Sequence, residues 1–188
     1  MQRFQPSERN RITSSILTAC RSGEVRGARW AELDIASKVE TIPVERMKAK
    51  RKHQVPLRDA ALFVLKSMPR DSDLIFHCTK GQPMSDMSLA AVIRRMNSDD
   101  KNIWVDANGK SITVHGFRST FRMWAGETTN YPREVAEHAL AHQLPDAVER
   151  AYQRGSQFAK RTALMADWAA YCSTVPPNAT VMPIRGAA

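Results

Sequence analysis

The segment TVHGFRSTFRMW, residues 113–124, places aromatic and basic side chains on two different faces of one predicted helix. At about 100° per residue, each set falls within an arc of about 60°. The aromatic stripe consists of Phe117, Phe121 and Trp124. The basic arc consists of His115, Arg118 and Arg122. The aromatic stripe is predicted to be buried and to anchor the helix, while the basic arc presents its side chains together. Arg122 is equally explained as a solvated charge.

Three other motifs place basic side chains and a tyrosine around this segment. They are TACRSGEVRGARW (18–30), ERMKAKRKHQVPL (45–57) and EHALAHQLPDAVERAY (137–152), with Arg21, Lys48, His142 and Tyr152 as their candidate site residues. Arginine, lysine and histidine side chains hold and neutralise a phosphodiester, whereas a tyrosine hydroxyl can attack one. The ordered set therefore predicts a phosphate-cleaving pocket to which several separate elements contribute.

The order and spacing of these motifs resemble those of the tyrosine recombinase family, in particular the phage and genomic-island integrases. The resemblance runs from about residue 12 to about residue 173. It matches the family's catalytic set at Arg21, at Lys48 eight residues before Pro56, at the H-x-x-R box of His115 and Arg118, at His142 and at the nucleophile Tyr152. Glu24 matches a supporting acid three residues after the first arginine. One departure is Ala141, because the family usually has glycine before this histidine.

The resemblance implies a catalytic domain that cleaves and rejoins DNA during integration and excision of a mobile element. Tyr152 would attack the scissile phosphate to give a 3′-phosphotyrosyl link and a free 5′-hydroxyl, with no metal and no other cofactor. The remaining roles would be these: Arg21 and Arg118 hold the non-bridging oxygens, Lys48 protonates the leaving oxygen, His115 acts as base or hydrogen-bond donor, and His142 fixes the phosphate. Replacing either arginine with alanine is expected to leave the fold largely intact and to slow cleavage.

The overall charge favours a polyanionic partner. The chain has 28 Lys+Arg against 19 Asp+Glu, a formal net charge of +9, and such a surface binds nucleic acid through counterion release. The resemblance implies double-stranded DNA, a tetramer of protomers on that DNA, and accessory DNA-bending proteins as partners. No stretch approaches the roughly 20 apolar residues of a membrane span, and the polar N-terminus is unlike a secretory signal. A cytoplasmic protein without a membrane partner is expected.

The residue pattern predicts a mainly helical α+β fold with a small antiparallel β-sheet. Helices are predicted at residues 12–27, 60–68, 88–96, 115–127, 133–141, 146–154 and 158–171, and two strands of a hairpin at 39–44 and 54–57. By resemblance, residues 1–173 form the tyrosine recombinase catalytic domain and 174–188 a proline-containing tail. The core-binding and arm-binding domains of full integrases are expected to be absent.

Several residues allow a second interpretation. Lys50 competes with Lys48, because several basic residues crowd the same turn. His138 and His142 are four residues apart, but no H-E-x-x-H pattern or further ligand set supports a metal site. The odd number of cysteines fits reduced thiols in or near the core.

Two other functions share parts of this pattern. A type IB topoisomerase-like enzyme would use the same chemistry to relax DNA without exchanging strands. A catalytically silent DNA-binding module would keep the charge without the cleavage. The complete set of candidate site residues argues against the silent module.

Overall fold

The computed structural model describes residues 6–78, 81–97, 104–106, 108–142 and 155–174. The described α-helices are α1 (Pro6–Thr18), α2 (Ser22–Arg26), α3 (Asp59–Lys66), α4 (Ser88–Met96), α5 (Val114–Thr128), α6 (Arg133–Ala139) and α7 (Phe158–Ser173). The strands are β1 (Leu33–Asp34), β2 (Val39–Ile42) and β3 (His53–Pro56), and short 3-10 helices occupy Trp30–Glu32 and Val44–Arg46. The predicted α+β class with a small antiparallel sheet is confirmed.

The prediction of a single helix over residues 12–27 was wrong. The chain leaves α1 after Thr18, and Ala19 adopts a left-handed conformation with φ 52°. The Thr18 hydroxyl donates to the carbonyl of Ser14 at 2.7 Å and accepts from the Cys20 amide at 3.3 Å, so it supports the turn locally. Thr and Ser hydroxyls commonly offer the backbone such an alternative to helix. The break gives Arg21 the N-cap position of α2.

The sheet is antiparallel in the order β1-β2-β3. Strand β2 pairs with β3 in a register that sets Val39 opposite Pro56 and Ile42 opposite His53. The predicted hairpin is therefore confirmed, with a loop over residues 43–52 that carries the candidate lysines. The two-residue strand β1 was not predicted, because so short an element has no measurable periodicity.

The first hydrophobic cluster lies between α1, the sheet, α3 and α4. Its fully buried side chains include Ile42, Met47, Leu57, Ile75, Phe76 and Leu89. Helix α4 agrees with the sequence prediction because its apolar residues recur on one side, and Leu89, Val92 and Ile93 are all buried. This cluster supports the hairpin and the first two helices as one unit.

The second cluster is built around the aromatic stripe of α5. Phe121 is fully buried, its ring lies 5.3 Å from Trp168 of α7 in an edge-on arrangement, and Trp124 lies 5.0 Å from the same indole. Trp168 also donates its indole N–H to the carbonyl of Ile16 at 2.8 Å. Each aromatic pair adds about 0.5–1.5 kcal/mol beyond its buried area. The predicted stripe is thus confirmed for Phe121 and Trp124, while the half-buried Phe117 packs against the first cluster.

The cysteines divide between the core and the surface. Cys20 is buried, and burial raises the pKa of its thiol. Cys78 and Cys172 are exposed, and all three cysteines are free thiols. No helix in the described ranges is long and apolar enough to cross a membrane.

Candidate active site

Arg118 is a buried guanidinium that joins three elements. It lies in the second turn of α5, whose N-cap Thr113 accepts a hydrogen bond from the Gly116 amide at 3.0 Å. Its side chain donates to the carbonyl of Ala19 and, at 2.7 Å, to the carbonyl of Leu140 just after α6. The residue is only 4% exposed. One side chain therefore fixes the turn after α1 and the end of α6 around the start of α5.

Arg21 stands beside Arg118 and is more open to solvent. Its amide and its guanidinium both donate to the buried Glu24 carboxylate, at 2.7 and 2.8 Å. This is an ion pair between residues three apart in the sequence, and the carboxylate also caps the first turn of α2. The Arg21 guanidinium also reaches the carbonyl of Ala141, two residues beyond the end of α6, at 3.5 Å.

The two arginines and His115 line one open cleft of about 160 Å³. Ser22 and Val114 complete its lining. Burial lowers the pKa of Arg118, and the nearby positive charge of Arg21 lowers it further. An anion in the cleft would relieve the repulsion between these guanidinium groups and accept their hydrogen bonds. The cleft is therefore suited to a phosphate group.

His142 lies exposed at the edge of this site, beyond the end of α6. Its Nε2 atom is 3.4 Å from the Arg118 guanidinium, and its Nδ1 atom is 2.7 Å from the Glu137 carboxylate. The chain reaches it through Ala141, which has a left-handed φ of 51°. Glycine adopts this conformation with the least strain. The structure thus gives a physical reason for the glycine that the resemblance leads one to expect at position 141.

The candidate lysines lie outside the cleft. Lys48 and Lys50 are both exposed in the loop between β2 and β3. The Lys50 amide donates to the Met47 carbonyl at 3.1 Å, but neither side-chain ammonium makes a hydrogen bond or ion pair within the part of the chain that the structure describes. The choice between them stays open. Tyr152 and the predicted helix over residues 146–154 lie outside the described residues.

Two buried ionic side chains near the site were missed by the sequence analysis. Glu137 lies among the apolar residues of α6, and Arg161 falls on the buried face of α7 with Leu164 and Trp168. Burial lowers the pKa of Arg161 to about 10, so the group stays charged at neutral pH. The sequence did contain a signal for both residues, because each is a charged side chain on the apolar face of its helix.

Arg161 connects the hairpin to the residues that follow position 152. It donates to the carbonyl of Gln54 on β3 and, at 3.2 Å, to the carbonyl of Ser156. The structure also shows the role of Arg122, which the sequence left open. Its Nε donates to the Glu137 carboxylate at 2.7 Å. Across the described ranges, no three histidine, cysteine or acidic side chains are grouped so as to hold a metal ion.

Comparison with known proteins gives a consistent set of matches. The profile of the Phage integrase family matches residues 6–157. Prophage integrase IntA of Escherichia coli K12 is 34% identical over 159 residues, covering 82% of this chain and 36% of that protein. The integrase of Enterobacteria phage P4 is 30% identical over 176 residues, covering 84% of this chain and 38% of that protein. The chain therefore spans less than half the length of these relatives.

Solved structures share the fold at lower identity. The lambda integrase catalytic core superimposes with a TM-score of 0.53 at 19% identity, covering 75% of this chain and 82% of that chain. The XerH site-specific recombinase bound to its difH substrate gives a TM-score of 0.55 at 15% identity, covering 82% of this chain and 48% of that chain. At these identities, the likeness establishes the architecture.

Proposed function

The chain belongs to the phage integrase family, and we propose that it is the catalytic domain of a site-specific DNA recombinase that integrates and excises a mobile element. It cleaves and rejoins DNA through a 3′-phosphotyrosyl link. The observation that carries this proposal is the convergence of Arg21, Arg118 and His115 on one phosphate-sized cleft. These residues are far apart in sequence but meet at one place, and phosphodiester cleavage requires several donors directed at one phosphate.

The arginines stabilise the negative charge that gathers on the non-bridging oxygens of the phosphate. Arg118 is held by two backbone carbonyls and Arg21 by the Glu24 carboxylate, so both are oriented before DNA arrives. Preorganised donors are worth more than flexible ones because they need no reorganisation in the transition state. His142 helps to fix the phosphate through Arg118, because its Nε2 atom lies 3.4 Å from the guanidinium that would bind the phosphate.

Tyr152 supplies the nucleophile in this proposal. Its hydroxyl oxygen forms a bond to phosphorus, the bond to the 5′-oxygen breaks, and Lys48 donates a proton to that oxygen. His115 assists as base, accepting the proton that the Tyr152 hydroxyl releases, or as hydrogen-bond donor, in which case that proton passes to solvent. The tyrosyl ester keeps the energy of the broken bond, so a second 5′-hydroxyl can reverse the reaction without a nucleotide or metal cofactor. Glu24 supports the chemistry by holding Arg21.

Residues 1–173 constitute the catalytic domain in this proposal, and double-stranded DNA in the cytoplasm is the substrate. Related solved structures contain a lambda integrase tetramer bound to a Holliday junction and a lambda integrase dimer bound to a core site. We extend the tetrameric arrangement, with four protomers on two duplexes, to this protein. Accessory DNA-bending proteins would assist that assembly.

A covalent trapping experiment tests the proposal. A nicked duplex loses its 5′-hydroxyl fragment on cleavage, so wild-type protein should form a denaturation-resistant adduct in the presence of EDTA. Tyr152→Phe should form none. Tyr131→Phe is the matched control, because Tyr131 donates to Asp167 at 2.7 Å, away from the cleft. An adduct that persists in Tyr152→Phe, or that maps to Tyr131 or Tyr171, refutes the assignment.

A second assay separates recombination from relaxation. The protein should exchange strands between two duplexes that carry its target site. A type IB topoisomerase-like enzyme would relax supercoiled DNA without exchange, and a silent module would bind without forming the adduct. Relaxation without exchange would contradict the recombinase function while leaving the tyrosine chemistry intact.

A further inference from the structure

Glu137 is a buried carboxylate for which the chemistry above has no role. It is 6% exposed and lies on α6, where Val135, Ala136 and Ala139 belong to the second hydrophobic cluster. A carboxylate in such surroundings is costly unless its oxygens are paired. The partners of Glu137 therefore decide whether its charge persists in the folded protein.

Its two oxygens accept hydrogen bonds from side chains on two different elements. Oε2 accepts from Nδ1 of His142 at 2.7 Å, and Oε1 accepts from Nε of Arg122 on α5 at 2.7 Å. Arg133 adds a weaker ion pair at 3.9 Å. Burial alone would raise the pKa of Glu137, but the hydrogen bonds from His142 and Arg122 outweigh it and the net pKa lies below the ordinary value. The carboxylate is ionised at neutral pH and connects α5 to the end of α6.

The contacts on the two sides of the His142 ring require the same tautomer. Nε2 lies 3.4 Å from the Arg118 guanidinium, which is only a donor, so Nε2 must present its lone pair there. A neutral ring then carries its proton on Nδ1, and this proton points to Glu137. The backbone reinforces the geometry, because the His142 amide donates to the Glu137 carbonyl at 2.9 Å.

We propose that Glu137 is a positioning residue that fixes the Nδ1–H tautomer of His142 and directs its Nε2 lone pair towards the Arg118 guanidinium, which lines the phosphate cleft. Arg122 holds the carboxylate in place from α5. This also assigns a purpose to Arg122, which contacts Glu137 rather than lining the cleft. The catalytic consequence rests on the proposed recombinase function, whereas the tautomer can be measured without any substrate.

Nitrogen NMR of the histidine rings tests the tautomer directly. The chain has five histidines, and His142→Ala assigns the signal in protein labelled with ¹⁵N-histidine. At pH 8 the wild type should show the Nδ1–H form. Glu137→Gln should keep it, because an amide oxygen also accepts from Nδ1–H. Glu137→Ala should shift the ring towards the Nε2–H form. A wild-type Nε2–H ring, or an unchanged ring in Glu137→Ala, overturns the proposal.

Single-turnover cleavage of the nicked duplex tests the consequence for catalysis. Glu137→Ala should slow cleavage at saturating protein by about 10- to 100-fold, the range for losing a carboxylate that orients a histidine in metal sites, without weakening DNA binding. Glu137→Gln should restore most of the rate. Glu134→Ala, the same truncation one turn earlier on a half-buried residue, should have no effect.

The outcomes separate the two proposals. Weaker DNA binding with an unchanged cleavage rate in Glu137→Ala would make the residue merely structural. If Glu137→Ala does not fold, the wild-type tautomer and the rate of Glu137→Gln decide instead, and an Nε2–H ring or a Glu137→Gln rate as low as that of His142→Ala refutes positioning. A wild type that forms no adduct refutes the recombinase function, while the NMR result still stands for Glu137.

Discussion

Arg118→Ala should unfold this protein more easily, in addition to abolishing cleavage. The substitution removes the donor for two carbonyls, those of Ala19 and Leu140, and both residues are 1% exposed. A buried acceptor left without a partner costs about 1–3 kcal/mol. Removing the guanidinium also removes its own desolvation penalty, which the lowered pKa of Arg118 reflects. The free energy of unfolding of Arg118→Ala should therefore be about 3 kcal/mol lower than that of wild type, which is a large share of the roughly 5–15 kcal/mol that stabilises a domain.

Urea unfolding followed by circular dichroism measures this loss. Arg94→Ala is the control, because Arg94 is exposed on α4, and it should change the free energy of unfolding by less than about 0.5 kcal/mol. Arg118→Lys should recover only part of the loss, since an ammonium cannot reproduce a planar fork directed at two carbonyls. Equal stability of Arg118→Ala and Arg94→Ala would refute the reasoning. Because Arg118 also holds two buried carbonyls, we no longer expect its replacement with alanine to leave the fold largely intact, as the sequence alone suggested.

Two further predictions concern a buried acid and the hairpin lysines. Burial raises the pKa of Glu40 from 4.5 to about 7, so the native state binds more protons than the unfolded chain between these values and loses stability as pH rises through them. The free energy of unfolding of Glu40→Gln relative to wild type, measured in urea, should therefore rise by about 3 kcal/mol from pH 4 to pH 8. A difference between the two proteins that does not change with pH would contradict this. His53, whose pKa burial lowers to about 4, acts in the opposite direction but is common to both proteins. Lys48→Ala should slow adduct formation, and a 5′-bridging phosphorothioate should restore it because a thiolate leaves without a proton; rescue of Lys50→Ala instead would transfer the role to Lys50.

Local periodicity was enough to locate most helices. Helix α4 was predicted with its observed bounds, and α5 and α7 within about two residues, because their apolar residues repeat at helical spacing over several turns. The hairpin also followed from local pattern, while β1 did not, because two residues carry no periodic signal. The helix predicted over residues 12–27 failed where a turn, stabilised by the Thr18 hydroxyl and a contact with Arg118, interrupts an otherwise helical pattern.

The sequence by itself determined which residue types are available for the site and on which elements they stand. Only the tertiary structure decided how they are used: Arg118 is buried and reaches a carbonyl 99 residues away, Arg122 binds Glu137, and Glu137 holds His142. The physical reason is that helical spacing is a local property of the chain, readable from neighbouring residues. The burial and pairing of a charge depend instead on residues that folding brings together from distant positions.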